Sequence, residues 1–464
     1  MKHAIIASWL LCAIASGLTH AQDPCVPQRI EPPVGTPPEK FGSMVATNDQ
    51  YWFVADAAAQ TLCPGSTFAC STGAVHVYEL VDGQLEFTQT LVPPDIGLGD
   101  NYGYGMAAYG NRLIIGAPKH TVPGGVPLRG LLYDYGFDGT RWVETARIEP
   151  PAEVQADFGK RVVLHGDSMI VWNQVTRPDA VYAYRLVAGE WAHVQTLSPG
   201  PEAFAWDYGR RMVMDDDWLF VAAPDDDTIT AGGGSVFIYQ REGDGTFTFF
   251  QKVMADFFGR FGTDIAYNGR SLLVGVPAYA PEHRSQGGIF AYWFDGEAWV
   301  LDQRITLNDA RRNDGFGWRV LVDGGVMLGR ADFRLAPEGR GAVFQFEQRA
   351  DGTWREVRRL VPNPLDRTGN FGFDMVIDGG LALVASLDEV TSSGDADGAA
   401  YLFDLSCNPC PADLDADGEL TIFDFLAFFN AFDAGRSEAD LDGDGEFTIF
   451  DFLAFQTAFD AGCG

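Results

Sequence analysis

The sequence predicts an all-β chain, a seven-bladed β-propeller of four-stranded antiparallel blades closed by an N-terminal strand, followed by a small α-helical tandem calcium-loop domain. Three observations predict it. An aromatic–glycine pair returns seven times, each copy holds four strand-length pieces, and at Asp413 the pattern changes abruptly into two near-identical acidic loops.

The repeat is clearest from Tyr102 to Pro151, where Tyr102-Gly103 opens an alternating run to Gly110. Leu113 to Pro118, Leu131 to Tyr135 and Trp142 to Pro151 supply three further runs. The same pair stands at Phe41-Gly42, Phe158-Gly159, Tyr208-Gly209, Phe261-Gly262, Phe316-Gly317 and Phe371-Gly372. Copies lie about 50 to 60 residues apart, a period that marks stacked copies of one unit rather than unrelated domains. The seventh residue after each glycine opens a turn, at Asp49, Gly110, Gly166, Asp216, Gly269, Gly324 and Gly379, so the register is kept. Alternating runs such as Val236 to Tyr239 and Ala342 to Phe346, each followed by an Asp-Gly step at Asp244-Gly245 or Asp351-Gly352, are hairpin signals. A lone four-stranded sheet leaves both faces open, and radial stacking buries them.

Closure follows from what the seventh copy lacks. It ends after its third run, Ala400 to Phe403, and reaches Cys407 without a fourth. The segment Gln28 to Pro33 resembles the fourth run Ala146 to Pro151 of the second copy, so the first strand of the mature chain is expected to complete the last blade. That pairing would bring Cys25 beside Cys407, and a disulfide there would lock the ring by limiting the entropy of the opened state. Cys63 and Cys70 bracket a short loop and most simply close it; Cys410 and Cys463 flank the tail and would clasp its ends. Zinc at Cys407 and Cys410 is the rival use of that pair, and it lacks a second pair or a histidine cluster.

Residues 1–21 have a basic start at Lys2, an apolar middle and a small residue at Ala21, the pattern of a secretory signal peptide. The expected organisation is then 22–40 for the segment carrying the closing strand, 41–405 for the propeller, 406–412 for a short linker and 413–464 for the tail. The expected location is secreted, extracellular or at the cell surface, and an even set of six mature cysteines suits an oxidising compartment. With 64 acidic against 32 basic residues the net charge is −32, which argues against nucleic acid or an anionic membrane as partner. After cleavage of the leader no membrane span is expected.

The tail reads as a calcium module. Asp413, Asp415, Asp417, Glu419, Thr421 and Asp424 recur 27 residues later as Asp440, Asp442, Asp444, Glu446, Thr448 and Asp451. Hard oxygens at loop positions 1, 3, 5, 7, 9 and 12, with Gly418 and Gly445 at position 6 for the sharp turn, are what a Ca2+ ion requires, so two ions are expected. Each loop runs into a helix, predicted over 423–432 and 450–459. About 50 residues make a small core, so the ions would supply folding energy.

Two resemblances sharpen this. The repeats, over roughly Phe41 to Leu405, resemble FG-GAP repeats, which implies a seven-bladed propeller of an exported protein. Some members bind calcium on blade loops; here the acidic runs Asp225 to Asp227 and Asp395 to Asp397 are read as solvated turns. The tail resembles the dockerin domain, in the variant ending Gly462-Cys463, with no helix before either loop and aspartate rather than glutamate at position 12. That resemblance implies a cohesin-like or envelope partner, met through Ile422, Phe423, Ile449 and Phe450. The alternative for the phenylalanine-rich helices is that their rings fill a small core.

Together these point to an exported, non-enzymatic binding or display protein. Its propeller would present loops to a glycan or protein ligand, and its tail would anchor it to a partner or surface scaffold. Trp52, Trp172, Trp206 and Trp318 would either stack on sugar rings or pack between blades. A secreted polysaccharide-degrading hydrolase attached through its tail is the alternative. The sequence shows no nucleophilic serine motif, histidine–carboxylate metal cluster or phosphate loop; two carboxylates would suffice for glycoside cleavage, and among so many acids no pair stands out, so no catalytic residue is singled out.

Overall fold

The structure, a computed structural model, describes residues 26–33, 40–62, 69–121, 128–173, 179–200, 205–336, 339–362, 369–389, 398–407, 412–414, 420–436, 439, 441 and 447–461. Among these residues the expected blades form seven four-stranded sheets. Blade one is Phe41–Thr47, Tyr51–Asp56, Ala74–Val81 and Gln84–Leu91; blade two is Gly105–Tyr109, Arg112–Ala117, Leu131–Phe137 and Trp142–Ile148. Blade three is Arg161–His165, Ser168–Trp172, Val181–Val187 and Glu190–Leu197; blade four is Arg211–Met214, Trp218–Ala223, Ser235–Arg241 and Phe247–Met254. Blade five is Ile265–Tyr267, Ser271–Gly275, Ile289–Phe294 and Trp299–Ile305; blade six is Phe316–Asp323, Val326–Ala336, Gly339–Gln348 and Trp354–Leu360.

Blade seven is Phe371–Asp378, Leu381–Ser386 and Ala399–Asp404, and its fourth strand is Gln28–Ile30. That strand runs antiparallel to the third, with Gln28 opposite Leu402, Arg29 opposite Tyr401 and Ile30 opposite Ala400. The first strand of each blade lies against the first strand of the next, and that of blade seven against that of blade one. The ring is therefore closed, and the first strands line its axis.

The aromatic–glycine pair is a packing device. The seven rings, from Phe41 to Phe371, are at most 2% exposed, and the glycine after each takes a positive φ between 77° and 96°. A Cβ on Gly209 would also lie 2.3 Å from the Trp172 ring, so the position excludes other residues on two counts.

Neighbouring blades are joined by a recurring amide staple. A glutamine on one fourth strand bonds in both directions to the backbone of the first residue of the next fourth strand. Gln89 Nε2 donates to the Trp142 carbonyl at 2.9 Å, and its Oε1 accepts from the Trp142 amide at 3.0 Å. Gln195 does the same with Phe247, Gln251 with Trp299 and Gln303 with Trp354. Gln28 makes the same two bonds to Leu85, the second residue of blade one's fourth strand, at 2.9 and 2.7 Å, so the N-terminal strand performs the work of a fourth strand. Beside it the Arg29 guanidinium donates to fully buried Glu389 at 2.9 and 3.0 Å, and Glu389 also accepts from the Tyr401 hydroxyl at 2.6 Å.

The tail holds α1 (Ile422–Asp433) and α2 (Ile449–Ala461), close to the predicted bounds. Thr421 caps α1 by accepting from the Phe423 amide at 3.1 Å, and Thr448 does the same for Phe450 at the start of α2. Phe428 and Phe455 stack at 4.5 Å in the core between the helices, with Phe425 and Phe459 4.6 Å apart beside them. No helix among the described residues is long and apolar enough to cross a membrane.

Replacing Gln28 by alanine removes two hydrogen bonds and leaves the buried Leu85 amide and carbonyl unpaired. The variant should lose about 1 to 3 kcal/mol in urea denaturation. Gln251→Ala should lose a similar amount. A neutral Gln28→Ala beside a destabilised Gln251→Ala would show that the N-terminal strand carries no structural load.

Candidate functional site

The register that keeps the blades equivalent also collects charge on the axis. Two residues past the seven anchor glycines stand Met44, Gly105, Arg161, Arg211, Asp264, Arg319 and Asp374. Four of them form a lateral chain. Arg211 Nε donates to Asp264 Oδ1 at 2.7 Å, and Asp264 Oδ2 accepts from the Val320 amide at 2.9 Å and faces Arg319 Nη1 at 3.3 Å. Arg319 Nη2 pairs with Asp374, whose other oxygen accepts from the Val45 amide of blade one at 2.9 Å.

Arg161 lies outside that chain. Among the described residues its Nη1 has the Met44 sulfur, at 3.9 Å, as its hydrogen-bond partner, and no carboxylate pairs with it. Burial pushes its pKa down to about 9, with repulsion from Arg211 adding to the effect. Blade two cannot contribute a counter-charge here, because a Cβ at Gly105 would sit 2.2 Å from the Gly159 carbonyl oxygen. One residue nearer the anchors, Tyr104 is 37% exposed and Phe373 38%. Lys160 Nζ stands 5.7 Å from the Tyr104 ring and 5.9 Å from Trp172, while Arg260 stands 5.7 Å from Trp318.

The far ends of the first strands are acidic. Asp323 and Asp378 end the first strands of blades six and seven, and Asp49 occupies the turn after that of blade one. Burial, then repulsion from Asp49 and a hydrogen bond with it, pushes the Asp378 carboxyl up to about 6, and Asp323 adds to the shift. The axis thus carries excess positive charge near the anchors and excess negative charge at its other end.

The residues singled out in the sequence fare differently. Trp52 and Trp172 are buried and pack between blades, Trp52 against blade seven and Trp172 against blade four, the side chain of Trp206 lies outside the described residues, and Trp318 is partly exposed against Phe333 at 5.8 Å. Asp226 is not a solvated turn residue: it is 3% exposed and meets Lys252, Ser235 and Thr228. Burial raises its pKa, but those hydrogen bonds outweigh it and hold the carboxyl below the usual range. Asp395 and Asp397 lie outside the described residues.

In the tail, Asp415, Asp417, Glu419, Asp440, Asp442, Asp444 and Glu446 lie outside the described residues, as do Cys25, Cys63, Cys410 and Cys463 with the bridges expected of them. Asp424 and Asp451 are fully buried and make the same contacts in both repeats. Asp424 accepts from the Leu414 and Thr421 amides at 2.9 and 2.7 Å, and Asp451 from the Leu441 and Thr448 amides at 2.9 and 2.7 Å. Each thereby ties the second residue of its loop to the ninth. Ile422, Phe423, Ile449 and Phe450 project outward at 61 to 66% exposed, with Leu426, Phe429 and Leu453 also exposed. The rings that fill the core are others.

Sequence reasoning missed the axial charges and a buried pair in blade two, where His120 Nδ1 meets Asp100 Oδ2 at 2.7 Å. The signal for the axial set was present in the column of residues beside the repeated glycines.

The chain matches no known protein family and no curated protein. It is similar in structure to a protein from Lactobacillus plantarum, at 13% identity and a TM-score of 0.45, over 72% of this chain and 88% of that one. A functionally unknown protein from Desulfotomaculum acetoxidans gives 13% and 0.45, over 69% and 90%. A candidate 6-phosphogluconolactonase from Bacteroides uniformis gives 12% and 0.48, over 75% and 94%. At these identities the likeness concerns the fold alone.

Asp378 makes stability depend on pH in a fixed direction. Its folded pKa of about 6 lies above the unfolded value of 3.8, so its contribution falls as pH rises between the two and stays low above 6. Asp378→Asn should therefore raise the melting temperature at pH 7.5 by more than at pH 4.5. An equal gain at both would remove the strained carboxyl pair.

Proposed function

We propose that this is an exported, non-enzymatic display protein. Its propeller, of FG-GAP type, presents a ligand-binding face. Its dockerin-like tail binds two Ca2+ ions and attaches the chain to a cohesin-like partner or cell-surface scaffold. One observation carries the tail's part: an internally repeated helix pair turns Ile422, Phe423, Ile449 and Phe450 outward while other phenylalanines fill its core. Large apolar side chains grouped on a surface are a usual sign of an interaction site.

The calcium reading has its own support. Asp413, Asp415, Asp417, Glu419, Thr421 and Asp424 would hold one ion, and Asp440, Asp442, Asp444, Glu446, Thr448 and Asp451 the other. The backbone amides that Asp424 and Asp451 accept hold each carboxylate at the last position of its loop, tied to the second and ninth residues. Metal would neutralise acid that otherwise repels itself. No nucleic acid partner fits a chain of net charge −32. The Cys25–Cys407, Cys63–Cys70 and Cys410–Cys463 bridges belong to the same exported setting.

The test is retention. The full chain should be pulled down with the producing cell's envelope in Ca2+ and released by chelator, and titration should count two ions per chain. Phe423→Ala with Phe450→Ala should abolish retention while changing stability by about 0.5 kcal/mol or less, because both rings are exposed. Full retention by that double variant would overturn the docking assignment, and absence of bound ions would overturn the calcium one.

A further inference from the structure

We infer that the propeller axis is a binding site for a small organic carboxylate of the uronate class, held by Arg161 at the basic end of the channel. This deepens the reading of the propeller as the ligand-presenting part and is independent of the tail.

The charge count drives the inference. On the axial ring three arginines, Arg161, Arg211 and Arg319, face two aspartates, Asp264 and Asp374, and both aspartates are engaged by Arg211, Arg319 and two backbone amides. The remaining guanidinium, Arg161, has a thioether as its described partner. A thioether is a weak acceptor, and a half-buried cation that no carboxylate meets directly, with Asp264 acting on it only from beyond ion-pair distance, is costly to hold. A guanidinium does not shed its proton readily, so an anion is the more economical relief. A carboxylate matches the planar fork of arginine. The exposed Tyr104 ring, with Lys160 5.7 Å away, lies one residue nearer the anchors and suits the flat face of a sugar ring that carries such a carboxylate.

The experiment is a calorimetric titration of the full chain with glucuronate, glucose and sulfate, with melting temperature as second readout. Glucuronate should bind and raise the melting temperature, glucose should do neither, and sulfate should bind more weakly than glucuronate. Arg161→Met should weaken glucuronate binding by about tenfold or more, yet melt no lower than the parent in ligand-free buffer, because it removes a charge that has no direct ion pair. Met44→Glu supplies a fixed carboxylate beside Arg161; it should raise the melting temperature and abolish binding, and it reads the site even if Arg161→Met fails to fold. Absence of glucuronate binding, or binding unchanged in both variants, would overturn the site. Sulfate binding as tight as glucuronate would overturn the carboxylate assignment. None of these outcomes touches retention through the tail, so the two readings fail separately.

Discussion

A ring of blades holds together only if its last sheet is joined to its first, and here that junction rests on the three residues Gln28 to Ile30. Each blade buries its faces against two neighbours, so an open ring would expose the faces of blades seven and one along their whole height. The closing strand prevents this with three reinforcements. It continues the antiparallel ladder of blade seven, it staples Leu85 of blade one through Gln28, and it anchors Arg29 on the buried Glu389. Chain ends far apart in sequence are thereby made one sheet. The loop-closure cost is met once for the whole ring.

Closure also fixes the axis, because it sets the seven first strands around it in one register. Equivalent residues then become neighbours on that axis although about 50 residues separate them in sequence. The repeat requires an aromatic ring and a positive-φ glycine at the anchor, and it leaves the next two positions free. Those positions carry Tyr104, Lys160, Trp318 and Phe373 in one layer, and the arginines and aspartates in the next. The opposite end carries Asp49, Asp323 and Asp378. A chain of net charge −32 therefore holds a local positive site. Partner chemistry is set by such local fields as well as by the total.

The fold was legible because its determinants are periodic. Seven aromatic–glycine pairs, runs of alternating apolar residues and an orphan fourth strand all report backbone geometry, which tolerates little substitution. The axial charges escaped notice for the opposite reason: Met44, Gly105, Arg161, Arg211, Asp264, Arg319 and Asp374 share a place but no chemistry, and their meaning lies in how they pair. Asp226 was misread because a run of three acids resembles a solvated turn, and only the approach of Lys252, Ser235 and Thr228 makes it a buried hub. Trp52 and Trp172 likewise needed the packing to be seen, since an indole in a repeat serves core and ligand equally well. In the tail the repeated loops and both helices were readable, while the division of phenylalanines between core and surface follows from how α1 and α2 pack.

Cross-linking tests ring closure most directly. Ile30 lies opposite Ala400, and facing positions on paired strands bring their Cβ atoms to about 4.5 to 5.5 Å. Paired cysteines at 30 and 400 should form a disulfide under mild oxidation, identified by peptide mapping, while cysteines at 30 and 401 should not, because one step of register turns the side chain to the other face. Failure of the 30/400 pair to bridge in folded protein, or equal bridging by both pairs, would contradict the closed ring.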